Sequence, residues 1–257
     1  MNKIHPTAIV SKNALLGDNI EIGPYSIIND KVIIRDNVSI QSNVLIDGRT
    51  VIGEDCQIAH SAVIGTPPQD LKYKDADTET IIGKGTKIRE FVTINKATDE
   101  NERTIIGDNC FLMAYVHIAH NCKLGNNVIL ANAVNLAGHI EIEDNAIIGG
   151  MTPVHQFVKI GTFAFVGGFS RVTQDIVPYT RGAGVPYKTI DLNTTGLRRN
   201  NFSKEVINSL KKAVRIVFYS HLNVSQSIEK IENTLVVKDE LAVFVNFIKN
   251  SKRGIAR

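Results

Sequence analysis

An aliphatic residue recurs at every sixth position through most of this chain, and no other feature of the sequence restricts the fold as strongly. The series runs without a break from Ile4 to Ile64. It resumes in phase at Ile82 and again at Ile106, and it ends at Val172. Neither the two-residue period of an ordinary strand nor the 3.6-residue period of a helix gives this pattern. A solenoid of short parallel strands does, with three hexads in each triangular coil.

A second column of mostly small or β-branched residues lies four positions after each aliphatic residue, as at Ala8 and Val38. Strand residues that are two positions apart point to the same face, so both columns are predicted to fill the interior. Cys56, Cys110 and Cys122 all belong to the second column. We therefore interpret the cysteines as core residues, not as disulfide partners or metal ligands.

The repeat divides the chain into two parts. Residues 1–185 are predicted to form the parallel β-helix, with excursions from the coil near residues 65–81 and 95–105. Residues 186–257, where the repeat has faded, are predicted to form a C-terminal α-helical domain. This second part carries 13 of the 29 Lys and Arg residues but only 6 of the 26 Asp and Glu residues, so it is the basic end of the chain.

Three helices are predicted in the C-terminal part from their capping residues and apolar spacing. Ser203 is the expected N-cap of a helix that ends near Ser220, and Ser225 is the expected N-cap of the next. A third helix is expected from Lys238 to Asn250.

Composition narrows the class of protein. The chain is 43% hydrophobic and 21% charged, which argues against a disordered or collagen-like protein. No apolar stretch approaches the roughly 18 residues that a membrane-spanning helix needs, and no signal peptide is recognised. We expect a cytoplasmic protein without membrane insertion, and the absence of an aromatic-studded basic stripe gives no reason to expect nucleic-acid binding.

Histidines concentrate in the later coils of the predicted solenoid. The cluster comprises His117, His120, His139 and His155. Because positions separated by three hexads stack in successive coils, His120, Gly138 and Gln156 are predicted to lie in one column. Such a column offers a general base that titrates near neutral pH, a backbone N–H for a developing oxyanion, and an amide that orients a substrate.

A strip of small side chains runs beside this column through four coils, over roughly 14 Å. Its members are Met113, Ala114, Ala131, Asn132, Gly149, Gly150, Gly167 and Gly168. The strip predicts a groove parallel to the solenoid axis, which would accept an extended alkyl chain. Close packing against a neighbouring subunit explains the strip equally well, and the spacing does not distinguish the two.

Several segments resemble the UDP-N-acetylglucosamine O-acyltransferase family, and the resemblance covers essentially the whole chain. They include Gln69-Asp70-Leu71-Lys72-Tyr73, His117-Ile118-Ala119-His120, Leu136-Ala137-Gly138-His139, Val154-His155-Gln156-Phe157 and Gly196-Leu197-Arg198-Arg199. The resemblance implies a left-handed β-helix and a homotrimer with active sites between neighbouring chains. It also implies transfer of a (R)-3-hydroxyacyl group from acyl carrier protein to the 3-hydroxyl of UDP-N-acetylglucosamine, the first step of lipid A synthesis. The acyl donor is carried on phosphopantetheine of the carrier, so no cofactor or metal is implied.

The family's functional residues map onto this sequence as follows. His120 matches the general base and Gly138 the backbone oxyanion donor, and no cysteine matches a catalytic position, so no covalent acyl-enzyme is implied. Gly168 falls where family members set acyl length, and glycine there implies a longer chain. The matched substrate-binding residues are Gln69, Asp70, Lys72, His117, His139, His155, Gln156, Asn193 and Arg199.

The sequence departs from the family pattern at several positions. Asn121 follows the base where aspartate is common, Asn95 replaces a frequent histidine, and Asn200 replaces a frequent arginine. Arg171, three coils beyond His117 in the same column, has no assigned role; it could narrow the groove, pair across the subunit interface, or be an ordinary surface residue.

Acyl carrier protein is acidic, so the basic tail is its predicted docking surface on electrostatic grounds. The candidate residues are Lys211, Lys212, Arg215, Lys249, Lys252 and Arg253. Two alternatives to this reaction stay open. An enzyme of the same fold could acylate a 3-amino sugar nucleotide, or a metal-dependent hydratase could use the histidines as zinc ligands, as in gamma-class carbonic anhydrases. A non-catalytic solenoid would instead show regular threonine arrays, and this sequence lacks them.

Overall fold

The six-residue period produces two-residue strands that wind into a β-helix with three faces. The computed structural model describes residues 1–257. Strands on one face pair in parallel with the strand one coil later, as Ile4 pairs with Ile22 and Ile9 with Ile27. These pairings confirm that a regular coil contains three hexads.

Each face of the β-helix is one sheet. The first sheet contains β1 (Lys3–Ile4), β4 (Glu21–Ile22), β7 (Ser39–Ile40), β10 (Gln57–Ile58), β13 (Lys87–Ile88), β16 (Phe111–Leu112), β19 (Ile129–Leu130), β22 (Ile147–Ile148) and β25 (Phe165–Val166). The second contains β2 (Ile9–Val10), β5 (Ile27–Ile28), β8 (Leu45–Ile46), β11 (Val63–Thr66), β14 (Thr93–Asn95), β17 (His117–Ile118), β20 (Asn135–Leu136) and β23 (Pro153–Val154). The third contains β3 (Leu15–Leu16), β6 (Ile33–Ile34), β9 (Arg49–Ile52), β12 (Glu79–Ile82), β15 (Arg103–Ile106), β18 (Lys123–Leu124), β21 (Glu141–Ile142) and β24 (Lys159–Ile160).

Both excursions leave the coil at a corner and return in phase. Ile64 pairs with Ile94, which lies five hexads later, and Ile94 pairs with Ile118, which lies four hexads later. Compared with a regular coil of three hexads, the first excursion therefore adds two hexads and the second adds one. Since both insertions are whole hexads, the aliphatic column continues through them.

The corners between sheets need a backbone conformation that few residues adopt easily. The third residue after an aliphatic position has a φ near +60° in most coils, as at Asn19, Asn37 and Asn127. Asparagine tolerates this left-handed region better than most residues do, which explains its frequency at the corners. His139 and Phe157 take the same conformation, with φ values of 60° and 65°.

The interior is filled by the two predicted columns. One cluster of 42 buried residues runs along the β-helix axis. Cys56, Cys110 and Cys122 are unpaired and buried within it, which confirms their interpretation as core residues. Burial raises the pKa of the Cys56 and Cys110 thiols to about 11 and that of Cys122 to about 12. These side chains therefore stay neutral thiols at neutral pH.

A hairpin that the sequence analysis did not predict closes the end of the β-helix. Strand β26 (Thr180–Ala183) continues the first sheet in parallel with β25, and β27 (Lys188–Leu192) pairs with β26 in antiparallel fashion. The segment expected to be helical thus begins with a strand. The hairpin carries no hexad repeat, so the periodicity gave no signal for it.

Four helices follow. They are α1 (Thr194–Arg199), α2 (Lys204–Tyr219), α3 (Val224–Thr234) and α4 (Asp239–Lys249). The expected cap of α2 is confirmed, since the Ser203 side chain accepts from the N–H of Val206. The N-cap predicted at Ser225 is wrong, because Asn223 caps α3 and forms a reciprocal capping box with Gln226. Ser225 is followed three residues later by Ile228, which could not complete such a box.

The helices share a second apolar core with the end of the β-helix. This cluster of 16 buried residues includes Leu210 and Val214 of α2, Phe244 of α4, and Val177 and Tyr179 from the chain before the hairpin. No helix combines the length and the apolar content that crossing a membrane requires.

Candidate active site

His120 lies at a corner between the second and third sheets, two residues after β17. The residue is almost fully buried, with 7% of its surface exposed. Its Nδ1 lies 2.8 Å from Oδ1 of Asn121, which is also buried. The imidazole is therefore held on its Nδ1 side, whereas its Nε2 has no hydrogen-bond partner within the chain.

Gly138 lies one coil along from His120, and the imidazole packs directly against its backbone. A Cβ atom at Gly138 would lie 2.6 Å from Nε2 of His120, so any side chain there would force the imidazole to move. The Gly138 N–H makes no hydrogen bond within the chain. The N–H groups of His120 and Gln156, at the same corner one coil before and one coil after, are free as well. At the corners between the third and first sheets the corresponding N–H is instead bound by the next coil, as Asp108 N–H donates to Asn126 Oδ1 over 2.8 Å. The exposed residue one coil beyond Gly138 is Gln156, and it accepts no such bond.

Two rings continue this surface along the axis. The His139 ring stands at 86° to His120, with centroids 5.2 Å apart, and stacks on Phe157 with centroids 4.7 Å apart. His155 is exposed, and its Nδ1 lies 3.2 Å from the carbonyl oxygen of Gln156. The predicted histidine cluster is thus a continuous face that spans three coils.

His117 lies on the outer face of the second sheet, and its Nδ1 is 2.7 Å from Oγ1 of Thr93. Burial lowers the pKa of His117 below its usual value, and the neighbouring His120 lowers it further. Burial and His120 also lower the pKa of His139. The carboxylates of Asp99, Glu102 and Asp70 act in the opposite direction on the pKa of His139.

The lowered pKa values predict a loss of stability in acid. In the folded chain the pKa values of His117 and His139 lie below the ordinary value of 6.5. As the pH falls, these histidines are therefore protonated in the unfolded chain before they are protonated in the folded chain, which favours unfolding. We expect both histidines to titrate below pH 6.5 in NMR experiments, and denaturant midpoints to fall as the pH drops through this value. A His117→Gln variant should lose part of this pH dependence; titration of His117 at or above 6.5 would contradict the assignment.

The first excursion brings Asp70 towards this surface. Its carboxylate shapes the loop by accepting a hydrogen bond from the N–H of Lys72 over 2.8 Å, and the side chains of Gln69 and Lys72 are exposed.

Asn95 holds the start of this loop, since its side-chain amide donates to the Pro67 carbonyl over 3.0 Å. The sequence analysis noted Asn95 only as a departure from the family pattern, and its structural role was not predicted.

A cavity of about 330 Å³ opens beside His139 and Phe157. It is lined mainly by charged side chains, among them Asp99, Glu102, Lys123, Lys252 and Arg253. No group of three or more His, Cys, Asp or Glu side chains in the chain is arranged to hold a metal ion.

The predicted strip of small residues lies at the corners between the first and second sheets. A Cβ atom on Gly149 would lie 2.8 Å from the backbone carbon of Gly167, so adjacent coils approach closely there. Asn132 and Gly168 are exposed, whereas Met113, Ala114, Ala131 and Gly150 are half-buried. Large apolar side chains border the strip and are mostly exposed, namely Tyr115, Met151 and Phe169.

Two predicted residues belong to the C-terminal part, at helix α1. Asn193 is the N-cap of α1: its Oδ1 accepts from Gly196 N–H over 3.1 Å, and its Nδ2 donates to the Phe163 carbonyl over 2.9 Å. Arg199 lies in the last turn of the same helix and is exposed. Neither makes a hydrogen bond to the His120 and Gly138 region.

The sequence and the fold are similar to those of known proteins throughout the chain. A family profile described as "Udp N-acetylglucosamine O-acyltransferase; Domain 2" matches residues 175–256, and one described as "Bacterial transferase hexapeptide (six repeats)" matches residues 103–138. A curated acyl-[acyl-carrier-protein]--UDP-N-acetylglucosamine O-acyltransferase of Thermodesulfovibrio yellowstonii is 47% identical, with all of both chains covered. That of a Sulfurihydrogenibium species is 55% identical, covering 100% of this chain and 95% of the relative. This chain belongs to the UDP-N-acetylglucosamine O-acyltransferase family.

Solved structures agree with this membership. The UDP-N-acetylglucosamine acyltransferase from Bacteroides fragilis superposes with a TM-score of 0.96 at 40% identity, covering 99% of this chain and 100% of that one. The enzyme from Campylobacter jejuni gives a TM-score of 0.92 at 38% identity, covering 99% of both. The predicted fold, a left-handed parallel β-helix followed by α-helices, and the prediction of an enzyme of this family are confirmed.

Proposed function

We propose that this chain transfers a (R)-3-hydroxyacyl group from acyl carrier protein to the 3-hydroxyl of UDP-N-acetylglucosamine, the first step of lipid A biosynthesis. The observation that supports this most is the contact between the His120 imidazole and Gly138, whose backbone N–H is free. A base and an oxyanion donor then lie side by side in one largely buried corner. The names of the full-length relatives support the choice of donor and acceptor.

In the proposed reaction, Nε2 of His120 takes the proton from the sugar hydroxyl as its oxygen attacks the thioester carbonyl. A C–O bond forms, and the carbonyl electron pair moves to the oxygen, where the Gly138 N–H stabilises the negative charge. Collapse of this intermediate breaks the C–S bond. The phosphopantetheine sulfur leaves as a thiolate and takes the proton from the imidazolium, so atoms and charges balance.

We propose direct transfer without a covalent acyl-enzyme. The three cysteines are buried, and their pKa values of about 11 to 12 keep them as neutral thiols at neutral pH. Such thiols are poor nucleophiles. A single tetrahedral intermediate at His120 therefore accounts for the chemistry.

The remaining predicted residues are proposed to bind and orient the substrates. The His139 ring contacts the His120 ring, and His117, His155 and Gln156 lie in the same three coils. Asp70 raises the pKa of His139 by its charge, and Gln69 and Lys72 are exposed beside Asp70 on the loop. Asn193 already uses one lone pair and one amide hydrogen in the chain, which leaves one of each for a nucleotide. Arg199 is exposed and forms no ion pair, so it is available for phosphate.

We propose that the working enzyme is a homotrimer with sites between chains. Asn193 and Arg199 belong to α1 and make no hydrogen bond to their own His120, and we propose that a neighbouring chain supplies them. The exposed apolar side chains of Tyr115, Met151 and Phe169 next to the groove support this arrangement, because a second chain would remove them from water.

We propose α2 as the docking surface for the acidic carrier protein. Lys211, Lys212 and Arg215 are exposed on this helix and form no ion pair. Lys249, by contrast, pairs with Glu232 over 2.6 Å, and Nε of Arg253 donates to the Thr173 carbonyl. The three residues of α2, together with Lys252, which is also exposed and unpaired, are therefore stronger candidates than Lys249 and Arg253.

Gly168 is proposed as the open end of the acyl groove, and a bulky residue there should shorten the preferred acyl chain. A Cβ atom at Gly168 would lie 3.2 Å from the Gly150 carbonyl oxygen, a contact that a small local shift relieves. We expect Gly168→Met to lower kcat/KM for the longest donor by at least tenfold, about the effect of two lost methylene contacts, while short donors are used normally. Competition assays with mixed donors measure this ratio, and an unchanged ratio would contradict the groove assignment.

Steady-state transfer assays test the proposed reaction. Carrier proteins loaded with 3-hydroxyacyl groups of different lengths are incubated with UDP-N-acetylglucosamine, and mass spectrometry locates the acyl group on the product. We expect an ester at the 3-hydroxyl. No product with any donor, but an amide product with the 3-amino sugar nucleotide, would replace the proposed acceptor by the amino sugar.

A further inference from the structure

We propose that Thr98, in the second excursion, is a positioning residue that fixes the tautomer of His120 through the side-chain amide of Asn121. Only the kinetic consequences of this role rest on the proposed function. Its structural part concerns which ring nitrogen of His120 carries the proton.

The contact between Thr98 and Asn121 determines how the amide points. The backbone N–H of Thr98 lies 3.1 Å from Oδ1 of Asn121, and Oγ1 of Thr98 lies 3.0 Å from the same oxygen. A backbone N–H can only donate, so the atom facing it must be the amide oxygen and not the amide nitrogen. The loop therefore selects one of the two orientations of the amide.

This orientation in turn determines the state of the imidazole. The same Oδ1 lies 2.8 Å from Nδ1 of His120. Because a carbonyl oxygen only accepts, Nδ1 must carry the hydrogen of the neutral ring, and Nε2 keeps its lone pair. A flipped amide would offer its NH₂ group to Nδ1 and favour the opposite tautomer, in which Nε2 is protonated and cannot act as a base.

The chain holds Asn121 from its backbone side as well. The Asn121 N–H donates to Oγ1 of Thr104 over 2.9 Å, and the residue is 6% exposed. Water therefore competes little for hydrogen bonds to the Asn121 side-chain amide. Thr98 is the partner that distinguishes the amide oxygen from the amide nitrogen. Oγ1 of Thr98 also lies 2.8 Å from Oδ2 of Asp99, so its single hydrogen serves one acceptor at a time.

The substitution that removes the selecting groups is Thr98→Pro, since proline has neither the N–H nor the hydroxyl. We expect ¹⁵N NMR of the free protein to show His120 protonated at Nδ1 in the wild type and a mixture of tautomers in the variant. The kcat for acyl transfer should fall by about tenfold, the value of one hydrogen bond, with little change in KM for the sugar nucleotide.

The double variant Thr98→Pro/Asn121→Asp separates positioning from damage to the loop. A carboxylate has only acceptor oxygens, so it holds Nδ1–H whichever way it turns. We expect the double variant to regain the Nδ1–H tautomer and most of kcat. Thr7→Ala is the matched control, because Oγ1 of Thr7 lies 2.9 Å from Nδ1 of His5 in the first coil, and kcat should be unchanged.

Three results would overturn the proposal: a wild-type His120 protonated at Nε2, an unchanged tautomer and kcat in Thr98→Pro, or a double variant that does not regain the tautomer. If the wild type transferred no acyl group, the proposed function would fail, but the NMR measurement would still decide the positioning role.

Discussion

Replacement of His120 by alanine is expected to lower kcat for acyl transfer by about 10²- to 10⁴-fold, the usual contribution of a general base. The imidazole packs directly against Gly138, and its Nε2 has no hydrogen-bond partner in the chain, so it is placed to accept the proton. KM for the sugar nucleotide should change little, because the base acts in the transition state. Initial rates at saturating donor measure the effect.

His5→Ala is the control for this substitution. His5 is exposed in the first coil, far along the axis from the site, and its loss should leave kcat as it is. A His120→Ala enzyme that kept wild-type kcat would remove His120 as the base. A large rise in KM with kcat unchanged would instead make it a binding residue.

Gly138→Ala is expected to lower kcat by about 10²- to 10³-fold, as much as the removal of an oxyanion donor, because the base and the donor no longer meet at the same carbonyl group. The added methyl group would lie 2.6 Å from Nε2 of His120, so the ring must move away from the N–H beside it. The substitution therefore separates the base from the oxyanion donor while it keeps both groups. Transfer rates, together with a thermal melt of the variant, measure the effect.

Gly161→Ala controls for the packing strain in this variant. A Cβ atom there would lie 2.5 Å from Cδ of Pro178, a comparable clash at a corner away from His120. Both variants should melt below the wild type, but only Gly138→Ala should lose the catalytic step. Equal losses of kcat in the two variants would mean that general destabilisation, and not the geometry at His120, causes the effect.

The β-helix could be predicted from the sequence because each interior position is repeated in every coil. A single exceptional residue, such as Ile20 in the small column, does not change the period. The same regularity predicted that His120 and Gly138 are neighbours, because residues separated by three hexads lie next to each other in successive coils. Even the excursions preserved the register, because both insert whole hexads.

Features outside the repeat could not be predicted in the same way. The β26–β27 hairpin and the short helix α1 have no hexad and too few residues for a helical period. The contact of Thr98 with Asn121 joins an excursion to a corner, so no fixed spacing indicates it. The role of Asn193 as a helix cap was also missed, although Asn followed by Thr-Thr-Gly is a possible start of a helix.

The central claim, direct acyl transfer at His120, is tested most directly by a single-turnover experiment. Enzyme in excess is mixed with 3-hydroxyacyl carrier protein and UDP-N-acetylglucosamine, and the quenched samples are analysed for acylated sugar nucleotide and for the mass of the chain. We predict that acylated sugar nucleotide forms as the thioester disappears, with the chain mass unchanged throughout, and that His120→Ala forms almost none. An acylated chain that precedes the product, or product at the wild-type rate in His120→Ala, would contradict the mechanism.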